Sequence, residues 1–83
     1  MFIAKIVIRS KSTVSDPEGL TIHNGLRQLG YEKVKSVRSG KYFEIQVDEI
    51  DLNKATEHVK TMCNKLLANP IIEDYEFHID LIS

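Results

Sequence analysis

The alternation near the C-terminal end constrains this chain most. There Tyr75, Phe77, Ile79 and Leu81 interleave with Asp74, Glu76, His78 and Asp80. A period of two puts the apolar set on one face of a strand and the charged set on the other. Such a strand needs neighbours for its backbone groups and a layer over its apolar face. The opening residues repeat the pattern, with Phe2, Ala4, Ile6 and Ile8 on one face and Ile3, Lys5, Val7 and Arg9 on the other. In mid-chain, Phe43, Ile45 and Val47 alternate with Tyr42, Glu44, Gln46 and Asp48, a half-buried strand.

Just before that strand, Ser39-Gly40 reads as a two-residue turn, because glycine accepts positive φ without steric cost. The hairpin so predicted pairs Val34 with Ile45 on the core face and Lys35 with Glu44 on the other. It also sets Arg38 opposite Lys41, a like-charge pair that is mildly unfavourable. Either both side chains splay into water, or an acidic partner or anion neutralises them.

Two helices complete the pattern. Asp16-Pro17 is a helix start, with Asp16 as N-cap and Pro17 at the first position. Ile22, Leu26 and Leu29 then recur at helical spacing and should face the sheet, and Gly30 follows as a left-handed C′ residue. Gly25 is costly inside such a helix, by about 1 kcal/mol relative to alanine; close approach of another backbone and simple tolerance both account for it. Asp51 caps the second helix. Its stripe runs Leu52, Ala55, Val59, Met62 and Leu66, with Cys63 and Leu67 alongside. Asn69-Pro70 stops it, since a residue before proline is biased away from α. The expected fold is α+β: a βαββαβ order, an antiparallel sheet and two helices packed on one face, a ferredoxin-like arrangement.

At 83 residues this is one small domain, 1–83, with no room for a second core. So short a chain buries only about two-thirds of its unfolded surface, and oligomerisation is a common remedy. One cysteine forms no internal disulfide. A single thiol without a signal peptide points to a reducing, cytoplasmic setting. The first ten residues are too short and too charged for a membrane span. A net charge of −1 from 11 basic and 12 acidic residues gives no footprint for nucleic acid or an anionic membrane.

No catalytic constellation emerges. Cys63 lies late in a helix beside its apolar stripe, with no histidine one turn away, and reads as core. Glu73, Asp74 and Glu76 look dense, but alternation puts Glu73 on the face opposite the other two. His23, His58 and His78 fall on three elements without ligand spacing. Catalytic, cofactor-binding and metal-binding residues are therefore all expected to be none. What stands out is the sheet face away from the helices, where Ile3, Val7, Val37, Tyr42 and Ile72 mix with charges. A solvated face is normally more polar, so this reads as an interaction surface.

The chain closely resembles the PurS family, the small subunit of multi-subunit phosphoribosylformylglycinamidine synthase. The matching segments are "DPEG" (Asp16 to Gly19), "LGY" (Leu29 to Tyr31), "VRSGK" (Val37 to Lys41) with Phe43 and Glu44, and "MCNKLLANPIIEDYE" (Met62 to Glu76). Ser15 and Glu18 depart from the leucine and glutamine usual there, and Glu49 to Lys60 matches little. The resemblance implies a non-catalytic assembly subunit that forms a homodimer or higher homo-oligomer. Its partners would be a glutaminase (PurQ-like) that releases ammonia and a synthetase (PurL-like) that uses ATP and magnesium. Interface candidates are Arg38, Gly40, Lys41, Tyr42, Asn69, Asp74 and Tyr75. A stand-alone regulatory domain binding a small ligand is the alternative of similar element order. An acylphosphatase-like enzyme is a third reading, though it lacks the arginine-bearing phosphate loop.

Overall fold

A computed structural model describes residues 1–82 of the chain. Strand β1 (Phe2–Ser10) is central, β2 (Gly40–Val47) and β3 (Glu73–Leu81) flank it, and both pairings are antiparallel. Helix α1 (Pro17–Gln28) follows β1 and helix α2 (Leu52–Met62) follows β2. The α+β class and the antiparallel sheet match the expectation from sequence.

Register makes the two faces distinct. Ile6 lies between Phe43 and Phe77, and Ala4 between Ile45 and Ile79, so the apolar sets of three strands share one face. Helix α2 covers the middle of it. Ala4, Ile6, Ile8, Val59, Cys63 and Ala68 form the buried core, with Phe43, Ile45, Val47, Tyr75, Phe77 and Ile79 packed around them. Tyr75 and Phe77 stack at a ring separation of 6.3 Å. The opposite face carries the ion pairs Arg9–Glu76 at 3.1 Å and Lys5–Asp80 at 3.6 Å, and His78 Nε2 lies 2.8 Å from the Asp80 carboxylate. Ile3, Val7 and Tyr42 do lie there, but Val37 is outside the sheet and Ile72 precedes β3.

The expected stripe of α2 is rotated. Ala55, Val59 and Cys63 are buried at a spacing of four, while Leu52 and Leu66 are exposed. After Met62 the helix widens into a π-turn, Cys63–Leu67, closed by the Ala68 amide donating to the Cys63 carbonyl at 2.9 Å. The extra residue in that turn shifts the phase, so Ala68 rather than Leu66 returns to the core. Asn69 then makes the turn: its side chain accepts from Ile71 N–H, and its carbonyl from Ile72 and Glu73 N–H.

The largest correction concerns α1. Its caps are as expected: Asp16 accepts from the Gly19 amide, Pro17 opens the helix, and Gly30 closes it at φ 98° with Gly30 N–H bonded to Arg27 O and Tyr31 N–H to Leu26 O. Its apolar stripe, however, does not face the sheet of its own chain. Leu20, Ile22 and Leu29 are exposed, and a Cβ on Gly25 would meet nothing within 4 Å beyond its own helix. The predicted hairpin is also absent. Among the described residues, 32–39, the second strand of the expected order, pair with no strand and run back beside α1. Val34 does not meet Ile45, nor Lys35 Glu44; β2 pairs with β1 instead, through Ala4–Ile45 and Lys5–Glu44. Helix α1 and this returning segment form an arm. The molecule spans 50 × 29 × 14 Å with a radius of gyration of 16.3 Å; a compact chain of this length has about 12 Å.

Candidate functional site

The site lies where the arm joins the sheet, around the C-terminal end of β1. One carboxylate organises it. Asp16 caps α1 through the Gly19 amide at 3.1 Å and also accepts from the Ser39 amide at 2.7 Å and the Ser39 hydroxyl at 2.6 Å. The hydroxyl bond, then the two amides, hold its carboxyl below the usual 3.8. Gly19 permits the clamp: a Cβ there would lie 2.5 Å from both Asp16 Oδ2 and Val37 O. Sequence reading found Asp16 as a cap and missed its bond to Ser39, 23 positions away. The available signal was Gly19, a glycine in the first turn of a helix, where close approach is a standard reason for one.

The second half of the joint is Arg38 to Lys41. Arg38 donates from its guanidinium to the Ser10 carbonyl, so it neither splays into water nor opposes Lys41. Gly40 is no turn residue. It pairs with Arg9 across β1, and a Cβ on it would lie 2.6 Å from Ile8 O, so its role is close backbone approach. Lys41 stands opposite Ile8 and is exposed. Together Ser10, Glu18, Ser39, Gly40, Lys41 and Glu73 ring a shallow cavity of about 110 Å³ floored by Ile8.

The remaining candidates come to the same end from β3. Arg9 faces Gly40 on one side and Asp74 on the other, and Ile8 lies between Lys41 and Tyr75. Asn69 is tied in through Glu73, whose carboxylate accepts from the Asn69 amide at 2.8 Å. So Arg38, Gly40, Lys41, Asn69, Asp74 and Tyr75 gather at one edge of the molecule, with Tyr42 beside them on the charged face, its hydroxyl donating to Glu44 at 2.9 Å. That bond, with the Glu44 charge behind it, pushes the Tyr42 phenol up.

Four acidic side chains near this end are committed to neighbours. Asp16 holds Ser39, Glu73 holds Asn69, Asp74 faces Lys11 at 4.0 Å and Glu76 pairs with Arg9. Cys63 is far from solvent under α2, and burial pushes its thiol up, the opposite of what a nucleophile needs. His23 bonds the Val34 carbonyl at 2.9 Å, pinning the returning segment to α1. Among the described residues, no three of His, Cys, Asp or Glu gather to hold a metal ion. This end of the sheet is built of clamped turns and ion pairs, with Tyr42 exposed beside them.

Comparison with known proteins agrees with this architecture. Residues 3–81 match the family model described as PurS, phosphoribosylformylglycinamidine (FGAM) synthase. The chain belongs to the PurS family. The FGAM synthase subunit PurS of Methanocaldococcus jannaschii is 42% identical over 82 residues, covering 99% of each chain. That of Bacillus subtilis is 38% identical over 80 residues, covering 96% of this chain and 94% of its own. The crystal structure of the M. jannaschii PurS superposes with a TM-score of 0.88 over the whole of both chains. A chain in the PurLQS structure from Thermotoga maritima does so at 0.84, with 34% identity, over 96% of this chain and 99% of that one. The tie to PurS expected from "DPEG", "VRSGK" and the Met62–Glu76 block is thereby shown.

Proposed function

We propose that this chain is the small, non-catalytic subunit of FGAM synthase in purine biosynthesis, holding a glutaminase and a synthetase together. The observation that carries the reading is the family match across 3–81, joined to the likeness to a PurS chain solved within a PurLQS assembly. The site supports it, since polar groups such as Asp16 and Glu73 serve the fold while Arg38, Gly40, Lys41, Asn69 and Asp74 stand exposed near one end of the sheet. ATP and magnesium belong to the synthetase partner, and the chain works as a homodimer or higher homo-oligomer. The lone, buried thiol fits a reducing cytoplasm. No helix among the described residues is long and apolar enough to cross a membrane.

Bridging has a physical reason. Ammonia released at one site is largely protonated at neutral pH and diffuses away unless the acceptor site is held close, and holding reactants together replaces a bimolecular encounter with an intramolecular one. The test is reconstitution of synthetase and glutaminase with and without the chain, comparing glutamine-driven with ammonia-driven turnover. Glutamine-driven turnover should depend on the chain while ammonia-driven turnover depends on it much less. Unchanged glutamine-driven turnover without the chain would defeat the proposal. Within it, Arg38, Gly40, Lys41, Tyr42, Asn69, Asp74 and Tyr75 form the partner-facing edge, and Lys41→Glu should weaken complex formation. Intact assembly by Lys41→Glu would remove that edge from the proposal.

A further inference from the structure

Helix α1 carries a dipeptide whose chemistry the assembly reading leaves unused. Asn24-Gly25 is the single asparagine-glycine step of the chain; Asn53 and Asn64 precede lysine, and Asn69 precedes proline. An asparagine side chain is electrophilic at Cγ, and the next backbone nitrogen can close a five-membered ring onto it. Glycine hinders that approach least, having no Cβ and the widest range of φ and ψ. Proline has no N–H to give up and cannot make the same closure.

Little besides the helix restrains this pair. Asn24 is exposed. At about 100° per residue it lies about 200° round α1 from Ile22, on the face away from Ile22 and Leu26. A Cβ on Gly25 would meet nothing within 4 Å beyond its own helix, and Gly25 does not take a positive φ. Packing among the described residues therefore does not require glycine there. What holds the pair is the α-helical ladder, in which the Gly25 N–H donates to the carbonyl four residues back and must be released before the ring can close. That ladder is weak. The helix has 12 residues, a glycine in its middle, and Leu20, Ile22 and Leu29 exposed. A helix of that length is marginal without packing, and the glycine weakens it further.

We propose that Asn24-Gly25 is a self-modification site, where Asn24 converts to isoaspartate and aspartate at a rate set by the local opening of α1. In the opened segment, hydroxide takes the proton from the Gly25 nitrogen, and that nitrogen bonds to Asn24 Cγ. The Cγ–Nδ2 bond then breaks, and the amide nitrogen leaves as ammonia with a proton from water. The succinimide so formed is opened by one water at either carbonyl. Opening at the main-chain carbonyl of residue 24 leaves the backbone running through Cγ, an isoaspartate; opening at Cγ gives aspartate. Hydroxide is regenerated, and no oxidant, reductant or second protein is needed. Isoaspartate adds one carbon to the backbone in the middle of α1. Leu26 and Leu29 then lose their helical phase with Ile22, and a new carboxylate enters the helix. The inference is independent of the assembly reading.

The test incubates the full chain near neutral pH at physiological temperature, folded and in urea, and follows each asparagine by digestion and mass spectrometry. Isoaspartate is counted separately by enzymatic carboxyl methylation from S-adenosylmethionine. The peptide holding Asn24 should convert well ahead of those holding Asn53 and Asn64, and several-fold more slowly folded than in urea. Asn24→Gln keeps an amide but needs a six-membered ring, and should lose the signal from that peptide. Hydrogen exchange at the Gly25 amide reports the same opening, so the two rates should move together. Asp16→Ala, which removes the cap of α1, should quicken both by about fivefold. Sub-denaturing urea gives the same comparison in the unmodified chain. Asn24 that converts no faster than Asn53 and Asn64 overturns the site. Equal rates folded and in urea, or conversion that stays fixed while Gly25 exchange quickens, overturn its control by α1.

Discussion

Asp16 shows how one side chain can serve a helix and a tertiary joint together. Its carboxylate accepts from the first turn of α1 and from Ser39, so the cap and the root of the arm share one charge. Asp16→Asn should keep most of the capping, since asparagine caps well, but weaken the bonds to Ser39. Asp16→Ala removes both, and should lower the thermal midpoint more. Because the folded carboxyl titrates below its ordinary 3.8, the folded state holds fewer protons than the unfolded chain across the acid range. Its stabilisation is complete above about pH 5 and is lost as pH falls through the folded value. The midpoint difference between the native chain and Asp16→Asn should therefore shrink below about pH 4; a constant difference down to acid unfolding would show that the charge is idle. Cys63 is the converse case, a residue whose place was legible from its stripe alone. It should react with a thiol reagent only as the protein unfolds. Asp16 was legible only as a cap, because nothing local links it to a serine 23 positions on.

The strands could be read from the sequence and the helix faces only in part. Alternation fixes which side chains share a face whatever the partners are, so β1, β2 and β3 emerged with their apolar sets intact. A helical stripe is less binding. Cys63–Leu67 winds as a π-turn, and one inserted residue moved the buried position from Leu66 to Ala68. This yields a paired prediction. Val59→Ala, at a fully buried position on α2, should cost about 1–3 kcal/mol in urea unfolding. Leu66→Ala, at a side chain that is 83% exposed, should stay within about 0.5 kcal/mol. Equal losses at both positions would restore the straight stripe. Asp51→Ala should cost about 1 kcal/mol, since it removes the side chain that accepts from the Asn53 amide.

At the scale of the molecule, the sequence showed that α1 has an apolar stripe but not which chain would cover it. Periodicity reports that a face is buried, and a hairpin within one chain and an arm laid on another chain satisfy it equally. The elongation excludes the hairpin within one chain, with 16.3 Å of radius and a helix whose apolar side chains stand clear of its own sheet. Eight buried apolar residues among those described are a slender basis for 83. Stability should then come largely from association, and association obeys mass action. If folding and dimerisation are one step, a hundredfold rise in protein concentration adds about 2.7 kcal/mol per dimer, or about 1.4 kcal/mol per chain. For a chain of this size that raises the thermal midpoint by about 5–10 °C. Calorimetry over two decades of concentration measures it directly. A midpoint that does not move would mean that each chain is stable by itself and that the exposed stripe of α1 contributes nothing to folding.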